Sequence, residues 1–336
     1  MTKEIDPNAI VFVTGATGFI GSHLVDRLLE KNCKIKCLVR KTSNLRWLEG
    51  KPVEYVYGNL FDNNVLSEAV KDADYVYHIA GVTFAKKKED YYRGNSEATK
   101  NFIEVCYKTN PRLKRFVFIS SQTAVGPSPD SDHPVNEETE YHPITTYGRS
   151  KMEAEKTVAE YFDKMKCTVI RAPAVYGQRD VAILEYFKAM NMGLQALIGF
   201  GEKLVSLIHG IDLVDGIILA AESEKAVSQI YFISSEKFYS WNEVGKLTTR
   251  IMGKKNITIR IPHFAVYTVG AFAQFFSSFS KKPAILNIEK CKDITQNYWT
   301  CSIEKAKKDL AFKEKIGIEE GIRQTIEWYR KEGWIK

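Results

Sequence analysis

At 336 residues the chain is long enough for one large domain or two ordinary ones, and its 44% hydrophobic and 26% charged residues are those of a soluble globular protein. No uninterrupted apolar run reaches the roughly 20 residues needed to cross a bilayer, so no transmembrane segment is expected. The net charge of +7 is modest and spread along the chain. It suits an anionic small ligand and offers no basic tail for nucleic acid.

The opening MTKEIDPNA is polar, without a signal-peptide pattern. Cysteines 33, 37, 106, 167, 291 and 301 form no CxxC and no metal-type spacing. In a chain of this size they read as reduced thiols, which implies a cytoplasmic setting and no metal. Residues 11–21, VFVTGATGFIG, run from β-branched and aromatic residues into a loop with Gly15, Gly18 and Gly21. Leu24, Val25, Leu28 and Leu29 follow at helical spacing, to about Asn32. A strand, a glycine-punctuated turn and a helix in that order form the phosphate cradle of a dinucleotide-binding βαβ unit. Gly15 permits the tight turn, Gly18 lets backbone N–H groups approach a pyrophosphate, and Gly21 lets the helix pack close to the strand.

The second strand, KIKCLVR (34–40), ends in Arg40, followed by Lys41, Thr42 and Ser43. A carboxylate at this position would accept hydrogen bonds from the adenosine ribose hydroxyls, whereas an arginine accommodates a 2′-phosphate. The pattern favours NADP(H), with NAD(H) possible. VEYVYGNL (53–60) is a third strand ending at Asn59 and Leu60, and 62–73 a helix with Asp62 as N-cap. DYVYHIAG (74–81) is the fourth strand, and its small terminal residues let a cofactor lie against the backbone. His78 reads as a packed polar residue. A helix over 88–109 carries Asn95 early, and RFVFISS (115–121) is a fifth strand ending in two serines. A proline-rich loop over 126–143 is expected near the active site, before an amphipathic helix over 145–162 and a sixth strand with its exit over 166–177.

After Gly177 the pattern loosens. Helices are expected over 181–193 and 241–253, a strand and a helix within 206–223, and strands over 229–235 and 259–262. SIEKAKKDLAF and IEEGIRQTIEWYRKEGW close the chain as helices. The alternating βα pattern of 10–177 implies an α/β fold, a doubly wound parallel (Rossmann) sheet with a smaller C-terminal α/β substrate lobe. Residues 1–177 form the expected dinucleotide-binding domain, with 206–235 returning to it. Residues 178–205 and 236–336 form the expected substrate-binding lobe.

Tyr147 and Lys151 lie four apart on a helix, one turn above one another. An ammonium beside a phenol stabilises the phenolate, lowering its pKa from about 10 toward neutrality, where it exchanges protons efficiently. The same lysine can bond the nicotinamide ribose. Ser121, at the end of a strand, can hydrogen-bond a substrate carbonyl or alcohol oxygen. Tyr-x-x-x-Lys alone is common; behind a glycine loop and a Ser–Ser strand end it becomes specific.

The chain resembles an extended short-chain dehydrogenase/reductase, a superfamily that includes sugar-nucleotide epimerases and dehydratases. TGATGFIG (14–21), HIAG (78–81), Asn95, FISSQTAVG (118–126), YGRSK (147–151) and RAPAVYG (171–177) carry the resemblance in order, and HGIDLVDGIILA (209–220) extends it over almost the whole chain. It implies a cofactor-binding set of Gly15, Thr17, Gly18, Phe19, Ile20, Gly21, Arg40, Asn59, Leu60, Ile79, Ala80, Gly81, Thr83, Asn95, Tyr147, Lys151 and Pro173. Phe19 and Ile20 would meet the pyrophosphate, and Pro173 would lie by the nicotinamide. Asn59 stands where the family usually has Asp beside the adenine. Ser121, Tyr147 and Lys151 would be the catalytic triad, and a homodimer through the helices at about 88–109 and 145–165 is expected.

Sugar-nucleotide members typically grip the substrate diphosphate with an Asn right after the position of Pro173 and an Arg shortly before the HGIDLVD-like segment. This chain has Ala174 and no arginine in GEKLVSLIH (201–209), although Arg179 could serve. FAVYTVGAFAQFFSSF (264–279) holds five Phe and one Tyr. It can be core or dimer packing of an amphipathic helix, a wall of an apolar pocket, or a membrane-surface contact. WTCSIEKAKKDLAF (299–312) and the C-terminal TIEWYRKEGWIK resemble the branch with dihydroflavonol reductases and 3-beta-hydroxysteroid dehydrogenases. The expected function is hydride transfer between a nicotinamide and a carbonyl or secondary alcohol of a moderately large apolar small-molecule substrate. The alternatives are a sugar-nucleotide epimerase or dehydratase with retained NAD, and a non-catalytic protein that senses the cofactor.

Overall fold

A computed structural model describes residues 4–277 and 286–336. The strands in chain order are β1 (Ile10–Thr14), β2 (Lys34–Val39), β3 (Val53–Tyr57), β4 (Tyr75–His78), β5 (Arg115–Ser121), β6 (Cys167–Ala172), β7 (Ala174–Tyr176), β8 (Leu194–Ile198), β9 (Leu204–His209), β10 (Gln229–Phe232), β11 (Phe238–Ser240), β12 (Ile257–Ile261) and β13 (Tyr298–Trp299). Seven of them make one parallel sheet in the order β10-β6-β5-β4-β1-β2-β3. The chain winds outward from β1 through β2 to β3, then returns to the far side of β1 as β4. A doubly wound sheet opens a crevice at this reversal, outside the carboxyl ends of β1 and β4.

The central strands β1, β4, β5 and β6 are buried on both faces, and their side chains alternate between two cores. Val11, Val13, Tyr77, Val117 and Ile170 meet the helices Phe19–Glu30 and Gly210–Glu222 on one face. Phe12, Val76, Phe116, Phe118 and Val169 meet Asn63–Val70, Ala98–Thr109 and Thr146–Ala159 on the other. A smaller sheet is built on β9, with β11 antiparallel and β7 and β13 parallel to it. β8 and β12 form a separate parallel pair. A third core joins Tyr176, Phe187, Val205, Val244, Ile326 and Tyr329, drawing on segments far apart in sequence.

The helix expected over 88–109 is interrupted. It runs α from Lys88 to Tyr91, π from Tyr92 to Glu97, and α again from Ala98 to Thr109. Strand β8 and the helix Ile288–Thr295 are additions to the sequence reading. The aromatic stretch forms the helix His263–Ser277; its last two residues, Ser278 and Phe279, lie outside the described residues. All six cysteines are buried and unpaired. Among the described residues no helix is long and apolar enough to cross a membrane, and no cluster of three or more His, Cys, Asp or Glu could hold a metal.

Candidate active site

The glycine loop lies at the carboxyl end of β1. Gly15 has φ +77°, and a Cβ there would lie 2.6 Å from the backbone nitrogen of Ala80. A Cβ on Gly21 would lie 2.1 Å from the Gly15 carbonyl oxygen, so helix and loop touch backbone to backbone. A Cβ on Gly18 would meet only that oxygen, at 3.3 Å, which leaves its other side open. Gly18 is also the N-cap of Phe19–Glu30, and no side chain caps that helix. The first-turn amides after Thr17, at Phe19, Ile20 and Gly21, are therefore available to an anion, favoured further by the helix dipole. The Phe19 ring turns away to pack beneath Gly210 and edge-on to His23.

Arg40 follows β2 immediately. Its backbone closes a turn with Ser43, through Arg40 N–H to Ser43 Oγ at 3.0 Å, and its side chain is exposed. Asn59 and Leu60 lie just beyond β3, which ends at Tyr57 and not at 60 as the sequence suggested. Asn59 Oδ1 accepts from the Phe61 amide at 2.8 Å, and the Leu60 carbonyl accepts from Asn101. An open cleft of about 720 Å³ lies there, between Asn59, Phe61, Asp62, Asn63 and Arg93. The uncapped helix start, the left-handed Gly15, the open side of Gly18 and the exposed Arg40 fit a dinucleotide.

The segment after β4 is pinned from both sides. Thr14 accepts through its carbonyl from the Ile79 amide at 3.2 Å and through Oγ1 from the Ala80 amide at 3.3 Å. Asn95, 1% exposed in the π-helical turn, accepts from the Val82 amide at 2.7 Å and donates to the Val82 carbonyl at 3.0 Å and to Ser150 Oγ at 2.9 Å. A π turn inside a helix is a common device for aiming one side chain at a site. One amide thus ties the segment carrying Ile79, Ala80, Gly81 and Thr83 to the helix of Tyr147 and Lys151. A Cβ on Gly81 would lie 3.0 Å from Asn95 Oδ1 and 3.9 Å from Lys151 Nζ, so these three positions converge. His78 is packed as expected. Its ring nitrogens bond Thr14 Oγ1 and Thr99 Oγ1, and burial lowers its pKa to about 3.

Thr146–Ala159 carries the catalytic pair. Thr145 caps it through Gly148 N–H to Oγ1 at 3.0 Å. Gly148 allows a close approach, since a Cβ there would lie 2.3 Å from the Thr123 carbonyl oxygen. The buried Glu155–Arg171 pair, at 2.9 Å, joins the helix to β6, and Tyr141 donates to the same carboxylate. Ser121 draws the Tyr147 phenol's pKa down, while Ser121 Oγ accepts from Thr123 Oγ1 at 2.9 Å. Lys151 is 3% exposed, and its Nζ donates to the Ile119 carbonyl at 2.6 Å.

Two expectations need correction. The Tyr147 pKa is not lowered in the free chain: burial pushes it up to about 12, against a smaller opposite effect from Ser121. Lys151 does not offset this, because its amine turns to Ile119 and is itself lowered to about 7 by burial. Arg179 is not a ready diphosphate grip. Its guanidinium pairs with Asp26 at 2.7 Å and lies over the Trp47 ring. Lys203, within 201–209, is likewise committed, donating to the Thr295 and Gln296 carbonyls.

The structure also adds residues that the sequence reading passed over. Glu289 Oε2 accepts from the Thr146 amide at 2.5 Å, an acidic cap brought to the catalytic helix from 143 positions away. Local sequence holds no signal for that contact. Thr123, two residues after Ser121, and Ser150, one before Lys151, orient the site from inside motifs already in view.

The model of the NAD dependent epimerase/dehydratase family matches residues 11–235. A ceramide reductase of Caulobacter vibrioides is 26% identical, the match covering 98% of this chain and 97% of that protein. A sterol-4-alpha-carboxylate 3-dehydrogenase, decarboxylating, of Dictyostelium discoideum is 26% identical over 93% and 98%. The crystal structure of a UDP-glucose 4-epimerase of Thermotoga maritima with UDP-glucose superimposes with a TM-score of 0.78 at 22% identity, over 96% and 99% of the two chains, a likeness of fold.

Proposed function

The chain belongs to the NAD dependent epimerase/dehydratase family, and from that premise we propose that it is an NADP(H)-dependent oxidoreductase acting on a carbonyl or secondary alcohol of a moderately large apolar substrate. The observation that carries the choice of substrate is the commitment of Arg179 to Asp26 and of Lys203 to backbone carbonyls, with Ala174 beside Pro173. Ala174 and Lys203 offer no hold on a substrate diphosphate, and Arg179 offers only its buried, unpartnered Nη1. The names of the ceramide and sterol relatives, which describe apolar substrates, support the same reading.

The bound dinucleotide supplies or accepts the hydride. Glycines 15, 18 and 21 and the amides of Phe19 and Ile20 would hold its pyrophosphate, Arg40 its 2′-phosphate, Asn59 and Leu60 its adenine, and 79–83 with Asn95 and Pro173 its nicotinamide side. Ser121 donates to the substrate oxygen. Tyr147 gives that oxygen a proton during reduction and takes one during oxidation. A hydroxyl at about pKa 12 is a weak acid, and a protonated Lys151 one helical turn away would favour its phenolate. The helices of 88–109 and 145–165 pair two copies into a homodimer, which light scattering tests directly.

Titration of the purified protein with NADPH and NADH tests the cofactor assignment, and equal or tighter NADH binding overturns it. A thermal-shift screen with NADP(H) fixed, over hydroxysteroids, long-chain ketones and UDP-sugars, tests the substrate class. Protection by UDP-sugars with co-purified NAD, and none by apolar ligands, overturns that part.

A further inference from the structure

The helix His263–Ser277 has 15 residues and no Lys, Arg, Asp or Glu, yet only Val266 and Gly270 in it are buried. Phe264, Phe272 and Phe276 are 74, 60 and 66% exposed, and Val269 and Phe275 are exposed with them. Strand β12, immediately before the helix, adds exposed Ile257 and Ile259. Exposed Phe200 joins the same surface. Arg260 on β12 donates to its carbonyl at 2.9 Å, and a Cβ on neighbouring Gly199 would lie 2.6 Å from the His263 ring. Large apolar side chains scattered singly on a surface are ordinary; a continuous set on a helix and an adjoining strand marks a contact surface.

Along the segment that carries β12 and this helix the charge has one sign, with the exposed Glu202 near Phe200 the acidic exception at its edge. Residues 244–288 contain seven Lys or Arg and no Asp or Glu. Lys254, Lys255 and Arg260, all exposed, flank the apolar side chains. We propose that this face docks on an anionic lipid bilayer, with His263–Ser277 lying flat in the headgroup region. The helix is about 22 Å long, short of the roughly 30 Å hydrocarbon core, so it lies on the membrane and does not span it. A second copy of the chain is a poor occupant, because two-fold pairing would set the same cations against one another. An anionic surface takes both the aromatic side chains and the uncompensated charge.

The buried edge of this helix leads toward the catalytic helix. Cys291 Sγ donates to the Val266 carbonyl at 3.4 Å, and Tyr267 OH meets Thr295 Oγ1 at 3.4 Å. Those contacts seat it on Ile288–Thr295, whose Glu289 caps the helix of Tyr147. The membrane-facing element is thus one helix removed from the catalytic tyrosine. Docking itself rests on exposure and charge, not on the proposed reaction.

Flotation of the full-length protein with vesicles tests the proposal without any turnover. Vesicles of phosphatidylcholine and phosphatidylglycerol are compared with phosphatidylcholine alone. Wild type is expected to float with the anionic vesicles and to be released by high salt. The triple variant Phe272→Ser/Phe275→Ser/Phe276→Ser and the double variant Lys254→Glu/Lys255→Glu are each expected to lose binding about tenfold with unchanged melting temperature. Wild type left in solution, variants that float equally well, or a triple variant whose sole change is a smaller particle in light scattering would each overturn it; the last marks a protein interface.

Discussion

Lys151 gives the most quantitative test of how the site is built. Its amine ordinarily protonates near pH 10.5, but in the folded chain burial delays this to about 7. Between those values the unfolded chain holds a proton that the folded chain lacks. Stability therefore falls as pH drops through that window, and the full penalty is present below pH 7. The gap corresponds to about 5 kcal/mol. Lys151→Met removes this penalty but also the hydrogen bond to the Ile119 carbonyl, a loss of about 1–3 kcal/mol. The variant is expected to be more stable than wild type at pH 7 by roughly 2–4 kcal/mol, a rise in Tm of roughly 3–10 °C. The difference should shrink as pH approaches 10. Melting both proteins by differential scanning fluorimetry from pH 6.5 to 10 measures it. A lower Tm for Lys151→Met at pH 7, or a difference that does not change with pH, refutes the reasoning. A stabilised variant without turnover would show that the lysine is kept for chemistry at the fold's expense.

Asn95→Ala removes three hydrogen bonds and leaves the Val82 amide and carbonyl without their partner. Urea unfolding should show a loss of about 2–3 kcal/mol, and dinucleotide titration a weaker Kd, since 79–83 is no longer tied to the catalytic helix. Arg40→Asp should weaken NADPH binding roughly 10- to 100-fold, the value of a charge-assisted phosphate contact, and bring NADH binding level with it or ahead. Gly21→Ala places a methyl group 2.1 Å from the Gly15 carbonyl oxygen; dinucleotide binding measured by fluorescence quenching should be lost, while a folded chain remains by circular dichroism.

What the sequence made legible follows the range of the interactions. Strands β1, β4 and β5 show as continuous apolar runs because both of their faces are buried, and the glycines at 15 and 21 because backbone contact permits no side chain there. Tyr147 and Lys151 are visible because helical spacing fixes their relation, and Thr145 marks the helix start by its own capping hydroxyl. The protonation states were not legible. The Tyr147 pKa depends on burial by elements distant in sequence, and Lys151 had a backbone carbonyl to choose over the phenol. The pairing of Arg179 was hidden for the same reason, since Asp26 lies 153 positions away. Strand β8 is a half-exposed pentapeptide that follows directly on a helix and is stabilised by pairing with β12, some sixty residues on. Ile288–Thr295 is polar on much of its surface, and its part in the site comes through two carboxylates, Glu289 capping the catalytic helix and Asp293 raising the Tyr147 pKa.

The central claim is that Tyr147 moves a proton while hydride passes between NADP(H) and an apolar substrate. Its most direct test follows the absorbance of reduced nicotinamide with wild type and Tyr147→Phe, over long-chain ketones, ketosteroids and UDP-sugars. Wild type is expected to consume NADPH with an apolar ketone, and Tyr147→Phe to do so at a rate roughly 10²–10⁴-fold lower with NADPH affinity unchanged. Interconversion of a UDP-sugar without net consumption of NADPH, or equal rates in the two proteins, would contradict it.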